Sequence, residues 1–303
     1  MPRPALGVVF IAAANALGGA SFPMQKLALE GLEPGMIAAL RHLIALPPIL
    51  VWALARGERL TSLRGGEWGR IALLGTVAFG LPLLLGIIGV GLSSASNGAL
   101  LILIEPVTIL VLAWLVLGER IGRGQVLGVG LGLVGALCIV LETSSSAGLF
   151  RGDQFLGNAI LLVHAFLWGL YTPLLRPLSQ KHDALVLSTW TLAFSLVLLV
   201  PYAGVELASW EAPTEPGVLT HALWWTLALG IFVSFGSTVL WVASLRHLQA
   251  SRVAPFLFVQ PLVGVFVGVA FLEERLSMAA VVGGLFVALG CAMALRGKAG
   301  HGA

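Results

Sequence analysis

The sequence predicts an all-α, polytopic membrane protein in which ten transmembrane helices form two inverted five-helix repeats. Three observations support this prediction: the composition, ten long apolar stretches and an internal repeat. Apolar residues make up 58% of the 303 residues and charged residues only 10%, with a mean hydropathy of +0.99. Soluble domains carry about 25% charged residues. The composition therefore excludes an ordinary soluble enzyme and favours a protein embedded in lipid.

Ten apolar stretches are long enough to cross a bilayer as helices, since a crossing needs about 20 apolar residues. Their apolar runs are continuous rather than alternating, which excludes a β-barrel. The first stretch follows a single basic residue, Arg3, so we interpret it as a helix and not as a signal peptide. The predicted spans are 5–26, 34–55, 69–90, 93–117, 122–141, 154–175, 184–205, 220–245, 250–272 and 277–296.

Basic residues are distributed unequally between the two sides of the predicted bundle. Ten crossings place both termini and the loops after spans 2, 4, 6 and 8 on one side, which carries thirteen basic residues against three. Basic loops remain in the cytoplasm. We therefore expect cytoplasmic termini and a multi-pass protein of the bacterial inner (plasma) membrane. The thirteen are Arg3, Arg56, Arg59, Arg64, Arg70, Arg120, Arg123, Arg176, Lys181, Arg246, Arg252, Arg296 and Lys298; the three are Lys26, Arg151 and Arg275.

The second half of the chain repeats the first. Residues 95–120 align with residues 250–275 without a gap at an offset of 155, and the match includes a shared proline and a shared Glu-Arg pair. A repeat of five helices crosses the membrane an odd number of times, so the second copy must be inverted. Inverted repeats around a midplane site are typical of secondary transporters. The predicted repeats are residues 1–148 and 149–303.

The repeated motif resembles a known family. Glu105-Pro106 with Leu117-Gly118-Glu119-Arg120, and Gln260-Pro261 with Leu272-Glu273-Glu274-Arg275, each precede a Gly-rich helix. These segments resemble tandem EamA domains of the drug/metabolite transporter superfamily, over nearly the whole chain. The resemblance implies a ten-helix exporter of amino acids, other metabolites or drugs, with YddG-type amino-acid exporters as the group nearest to it. It also implies a cavity lined by spans 1–4 and 6–9.

Polar side chains at membrane depth are site candidates because they are costly to bury in lipid. Span 4 carries Asn97 and Glu105, and Glu105 lies near the midplane. A carboxyl group that gains or loses a proton there could couple export to proton entry. The alternative is a structural carboxyl group that is neutral, is paired with Arg41 or binds backbone groups freed by Pro106. Gln260, the repeat-related residue, cannot titrate, so we expect any coupling to reside in the first half.

Two further spans carry aromatic and hydroxyl side chains at helical spacing. Span 6 has His164, Trp168 and Tyr171 at i, i+4 and i+7, and span 8 has Ser237 and Trp241 on one stripe. Aromatic rings with a polar atom suit the wall of a cavity for zwitterions or planar cations. The alternatives are a core histidine bonded to a neighbouring backbone, aromatic packing or interface anchoring, and hydroxyl bonds between helices.

Asn15 and Arg41 complete the predicted substrate-binding set. Asn15 lies near mid-depth in span 1 and either contacts the solute or bonds a neighbouring helix. Arg41 lies about 10 Å from the outer end of span 2, from the helical rise of 1.5 Å per residue. It could snorkel outward, pair with Glu105 or bind a substrate carboxylate. We expect its neighbour His42 to share the environment of Arg41 but to point elsewhere.

Spans 5 and 10 carry stripes of small residues, such as Gly128 and Gly283, and almost no polar side chains. Small residues permit close helix packing, so we interpret both spans as scaffold or as a dimer surface outside the site. Prolines remove a backbone donor and can bend helices. The predicted bending points are Pro23, Pro82, Pro106, Pro173 and Pro261.

The sequence carries no Walker A loop, metal-spaced Cys/His cluster or HExxH motif. We therefore expect no cofactor and no nucleic-acid partner, and downhill or ion-coupled transport of a small solute by a monomer or homodimer in lipid. Protons are a candidate co-substrate. Two rival hypotheses remain: a membrane-embedded enzyme that uses Glu105 and His164, and a channel or scaffold subunit without a transport cycle.

Overall fold

The computed structural model describes residues 4–93, 98, 101–143, 154–263 and 278–296, which form ten helical segments and no strand. Both the all-α class and the ten helical segments are therefore confirmed. The segments follow the predicted spans closely. They are α1 (Pro4–Ala28), α2 (Pro34–Ala55), α3 (Gly66–Leu92), α4 (Ile102–Leu117), α5 (Arg123–Thr143), α6 (Phe155–Ser179), α7 (Ala184–Ser209), α8 (Val218–Ser244), α9 (Ala250–Val263) and α10 (Met278–Arg296).

The outer surface of the bundle is apolar. Large apolar side chains such as Val51, Trp114, Val205 and Leu285 are more than half exposed. Exposed apolar area on this scale marks a surface that another apolar phase covers. Six helices, α1, α2, α3, α6, α7 and α8, are long and apolar enough to cross a membrane, and the other four are described over shorter apolar stretches. The fold is that of a polytopic membrane protein.

Four helices are irregular just before a proline. α1 breaks at Gly19 and Ala20, ahead of Pro23. The proline ring clashes with the carbonyl group four residues earlier, which for Pro23 is that of Gly19. The same reason accounts for three other irregular segments. The segment before Pro82 is π-helical over Leu74–Gly80, and the segments before Pro106 and Pro261 are 3₁₀-helical over Ile102–Ile104 and Ala254–Phe258. Pro173, the fifth predicted bending point, lies inside the continuous helix α6.

The irregular segments recur at corresponding places in the two halves. α3 is π-helical over Leu74–Gly80 and α8 over Leu229–Ser237. α4 begins with a 3₁₀ turn, and α9 contains one four residues after its start. Such π segments are rare and are frequent at functional sites. The π segment of α8 contains no proline; its Gly230 lies against Ile44 of α2, where a Cβ atom would be 2.6 Å from Ile44 Cγ2.

Helix packing pairs each half with the other. α2 packs extensively on α7, and α5 packs on α10, so these contacts join repeat-related helices. α3 packs on α6, and α8 packs on α1, which is the same pairing with the two halves exchanged. This reciprocal pattern is what a pseudo-two-fold relation between five-helix halves produces. It places α1, α3, α6 and α8 around the middle of the bundle.

The small-residue stripes of α5 and α10 pack against each other. A Cβ atom at Gly128 would lie 2.6 Å from the carbonyl oxygen of Gly290, so the two backbones are in direct contact there. Of the two roles predicted for these stripes, the structure thus shows the scaffold role. The described parts of both helices lie away from the central cavity.

Candidate functional site

A central cavity lies between the two halves of the bundle. Helices α1–α4 of the first half and α6, α8 and α9 of the second half contribute its walls. The cavity has a volume of about 140 Å³, which is room for several water molecules or one small solute. Eight of the ten predicted site residues line this cavity: Arg41, Glu105, His164, Trp168, Tyr171, Ser237, Trp241 and Gln260.

The other two predicted site residues are placed differently. Asn15 is buried behind Gln260: its amide donates to the carbonyl oxygen of Ile11 (2.8 Å), and its Oδ1 accepts from Gln260 Nε2 (2.9 Å). Asn15 thus bonds a neighbouring helix, as one of its two interpretations predicted, and positions a residue that reaches the cavity. Asn97 lies outside the described residues.

Arg41 presents a positive charge to the cavity. Its side chain is 3% exposed, so it does not snorkel to the outer surface. Nε donates to Ser234 Oγ in the π segment of α8 at 2.7 Å, while Nη1 is buried and has no hydrogen-bond partner among the described residues. Among the described residues, no acidic side chain lies within 4.0 Å of the guanidinium group. Arg41 and Glu105 therefore do not form the ion pair that was one of the alternatives for these two residues.

Glu105 enters the cavity from the junction between the 3₁₀ turn and the regular part of α4. The side chain is 6% exposed. α6 approaches it closely, because Gly169 packs on Thr108, one turn along α4, and lies near the carbonyl oxygen of Glu105. Glu105 is thus a carboxyl group of the first half held against a helix of the second half, next to the polar residues of the cavity.

His164 is oriented by its own hydrogen bond and by a glycine. Its Nδ1 lies 2.6 Å from the carbonyl oxygen of Pro82, which can only accept, so Nδ1 carries the hydrogen. A Cβ atom at Gly86 would lie 2.6 Å from the imidazole ring, which means that only glycine leaves room for this ring. Both interpretations of His164 therefore apply, since the ring bonds a neighbouring backbone and also lines the cavity.

Aromatic rings form one wall. Phe79 makes an edge contact with Trp168 (ring centroids 4.8 Å apart) and a tilted contact with Tyr171 (4.9 Å). Such edge and tilted pairs are favourable. Trp241 Nε1 donates to Thr172 Oγ1 at 3.0 Å and so ties α8 to α6. The wall is therefore fixed in position by ring contacts and by one hydrogen bond between the helices.

Several residues of the cavity lining were not among the predicted site residues, and His42, Gln25 and Phe79 are three of them. His42 lines the cavity beside Arg41, contrary to our expectation, and its Nδ1 lies 2.7 Å from Ser195 Oγ. Gln25 also lines it, and its Nε2 donates to Ser21 Oγ at 2.8 Å. Phe79 had no polar atom to attract attention. Gln25 is an amide side chain inside predicted span 1, and that position was the available signal.

The lining of span 7 was predicted wrongly. The structure describes all of α7, and none of its residues lines the cavity. Its hydroxyl groups support the lining from behind: Thr191 accepts from the hydroxyl group of Tyr171 at 3.3 Å, and Ser195 bonds His42. The cavity thus combines a guanidinium, a carboxyl, two amides and aromatic faces, a set that can bind a small polar solute without covalent chemistry.

Comparisons with known proteins agree with this architecture. Residues 5–141 and 155–296 each match the EamA-like transporter family. An uncharacterized transporter of Archaeoglobus fulgidus is 25% identical over 271 residues, which are 89% of this chain and 90% of the relative. The uncharacterized transporter YvbV of Bacillus subtilis is 28% identical over 279 residues, with 89% and 85% covered. A solved crystal structure superposes with a TM-score of 0.79 at 17% identity over 96% of this chain and 97% of that one, which shows the fold alone.

Proposed function

We propose a function for this chain from the fact that it belongs to the EamA-like transporter family. The chain is a secondary transporter that exports small metabolites from the cytoplasm by alternating access. Amino acids and related solutes are the proposed substrates, as in YddG-type exporters, and cationic drugs are the competing class. The observation that carries the proposal is the central cavity, which is lined by polar and aromatic side chains from both halves of the chain.

The shared lining supports a carrier because any movement of one half against the other must change the cavity. Arg41 of the first half bonds Ser234 of the second, and His164 of the second half bonds the backbone of α3 in the first. A solute bound here contacts both halves at once. Its binding energy can therefore favour one packing of the halves over another, which is the requirement for a solute-driven change of state.

Polar contacts join the halves at the start of α2 and at the start of α3, the next helix along the chain. At the start of α3, Glu67 bonds Lys181 (3.1 Å) and His182 (2.9 Å). At the start of α2, Glu206 accepts from the backbone N–H of Met36 at 3.0 Å. Exposed ion pairs contribute only about 0–1 kcal/mol each. Contacts of this kind can break and re-form during a transport cycle, first at one end of the cavity and then at the other.

The direction and energy source form part of the proposal. The excess of basic residues on one side supports cytoplasmic termini in the inner membrane, with the two copies antiparallel. The reciprocal helix packing of the halves supports the inverted relation. Glu105 is the proposed proton-coupling residue, because it is a buried carboxyl group that lines the cavity. A structural role for Glu105 is the alternative that the following experiment distinguishes.

The test is transport by the purified protein in proteoliposomes. We expect saturable, competable counterflow of labelled L-amino acids, and net flux that responds to an imposed pH gradient. Glu105→Gln should keep counterflow but lose the response to pH, whereas Glu211→Gln, which alters an exposed carboxyl group, should behave as the unmodified protein. If flux in Glu105→Gln follows the pH gradient unchanged, the coupling proposal is wrong. Non-saturable leakage would instead indicate a channel.

A further inference from the structure

In the part of the chain that the structure describes, three cavity-lining side chains have a buried polar atom with no hydrogen-bond partner. They are Arg41 Nη1, His164 Nε2 and Gln25 Oε1. Buried polar atoms are rarely left unpaired, and each unpaired one costs about 1–3 kcal/mol. Each of these side chains is at least nine-tenths buried. Their clustering around one cavity therefore points to a partner that arrives from outside the chain.

The three atoms differ in what they can bind. A guanidinium group only donates, so Arg41 Nη1 requires an acceptor. Nδ1 of His164 donates to Pro82, so Nε2 of the neutral ring accepts and requires a donor. Nε2 of Gln25 already donates to Ser21, and the free Oε1 likewise requires a donor. Through these three atoms the cavity presents one cationic donor and two acceptors, in addition to the carboxyl group of Glu105.

From this arrangement we infer that the cavity selects a compact zwitterion, whose carboxylate binds Arg41 and whose ammonium group binds Gln25 and His164. The inference rests on the proposed transport function and narrows its substrate class. The planar guanidinium group matches the geometry of a carboxylate. The ammonium group supplies several N–H donors to the two free acceptors.

The charge of Arg41 also distinguishes a zwitterion from a cationic drug. Since no acidic side chain among the described residues lies within 4.0 Å of the guanidinium group, a ligand carboxylate is the group that would neutralise it. A ligand with a positive charge alone could pair with Glu105, the carboxyl group in the same cavity, but it would leave the guanidinium group of Arg41 without a counter-ion in a site of low dielectric. The faces of Phe79, Trp168 and Trp241 then cover the apolar body of the solute.

The test compares ligands that lack one charged group each. The probes are L-phenylalanine, 2-phenylethylamine without the carboxylate, and 3-phenylpropanoate without the ammonium group. L-Leucine, 3-methylbutylamine and 4-methylpentanoate form a second set with a smaller body. Affinity is measured by thermal stabilisation of the purified protein, because a bound ligand stabilises the folded state. In at least one set, the amino acid should bind about tenfold or more tightly than either partial analogue.

Variants at the two ends of the ligand should give opposite patterns. Arg41→Gln should weaken the amino acid and the acid by about 10- to 100-fold, the range for a hydrogen bond to a charged group, and leave the amine unaffected. Gln25→Met should weaken the amino acid and the amine but spare the acid. Arg56→Gln, at the exposed end of the same helix, is the matched control and should change none of them. A misfolded variant would lose all three ligands together, so the opposite patterns separate recognition from stability.

Three results would overturn the inference: amines that bind more tightly than the amino acids in both sets, no binding in either set, or an equal loss of all three ligands in an Arg41→Gln variant that is still folded. Counterflow distinguishes this failure from failure of the proposed function. Saturable exchange of an amine without any preference for a carboxylate would refute the zwitterion and leave the transporter standing. Absence of saturable exchange for every probe, in a folded protein, would refute the transporter itself.

Discussion

Glu119 links the two halves through the start of α9, and removing it should destabilise the protein severely. Its Oε1 accepts from the N–H of Ala250 (3.1 Å), and its Oε2 accepts from the N–H (3.0 Å) and the hydroxyl group (2.6 Å) of Ser251. Arg176 Nη1 lies 3.3 Å from Oε1. Ala250 and Ser251 are fully buried, so their donors would lose their partner without access to bulk water.

The expected magnitude follows from these contacts. Breaking a buried ion pair by removing one partner costs about 3–5 kcal/mol. The N–H groups of Ala250 and Ser251 lie in the first turn of α9, where no carbonyl group of the helix can accept from them. Glu119→Ala should therefore lower the free energy of unfolding by about 3–5 kcal/mol. Glu119→Gln keeps one acceptor oxygen and should lose less. Exposed Glu211→Ala should stay within about 0.5 kcal/mol of the unmodified protein.

The assay is an SDS titration of the purified protein in mixed micelles, followed by far-ultraviolet circular dichroism. The order of stability should be Glu211→Ala, then Glu119→Gln, then Glu119→Ala. If Glu119→Ala unfolds at the same SDS fraction as Glu211→Ala, the carboxylate does not hold the start of α9. The reasoning from its hydrogen bonds would then be wrong.

Two further predictions concern the cavity. Gly86→Ala should displace the His164 ring, because the new Cβ atom would lie 2.6 Å from it, and should lower the free energy of unfolding by about 1–3 kcal/mol. Gly91→Ala on the same helix, where the nearest atom is 3.7 Å from the new Cβ atom, is the control and should be neutral or stabilising. Equal stability of the two variants would contradict the packing of Gly86 on His164. Trp241→Phe removes the hydrogen bond to Thr172 and should cost about 1 kcal/mol. Adding Thr172→Val to Trp241→Phe should lower the free energy of unfolding little further, since the shared hydrogen bond is already lost. If the two substitutions lower it additively in this double-mutant cycle, the bond contributes nothing to stability.

The polar residues of the cavity were largely predictable because exposing a polar side chain to lipid is costly. Glu105, His164 and Gln260 lie deep inside apolar stretches, and an ionisable or amide side chain at that depth must face the bundle interior. The spacing of His164, Trp168 and Tyr171 put them on one face of α6, where the structure places all three on the cavity. Glycine spacing likewise predicted that α5 and α10 pack closely against other helices, although it did not identify each as the other's partner.

Details that depend on the neighbouring helices could not be predicted. The hydroxyl residues of α7 and α8 have similar spacing, yet only those of α8 reach the cavity, because α7 packs behind α2 and α6. The π segment of α8 closes i→i+5 hydrogen bonds and so rotates the residues that follow. Both Ser237 and Thr238 reach the cavity as a result, whereas Ser244, seven residues after Ser237, bonds the carbonyl oxygen of Trp241.

The most direct test of the account is the accessibility of Ser237, which lines the cavity from α8. Ser237→Cys is made in a background in which Cys138 and Cys291 are replaced by alanine, and the thiol is labelled with a membrane-impermeant maleimide in right-side-out and in inside-out vesicles. The account predicts labelling from both sides of the membrane and protection from both sides by a saturating transported solute. Labelling from neither side, or equal labelling with and without the solute, would contradict the claim that this cavity carries the solute across the membrane.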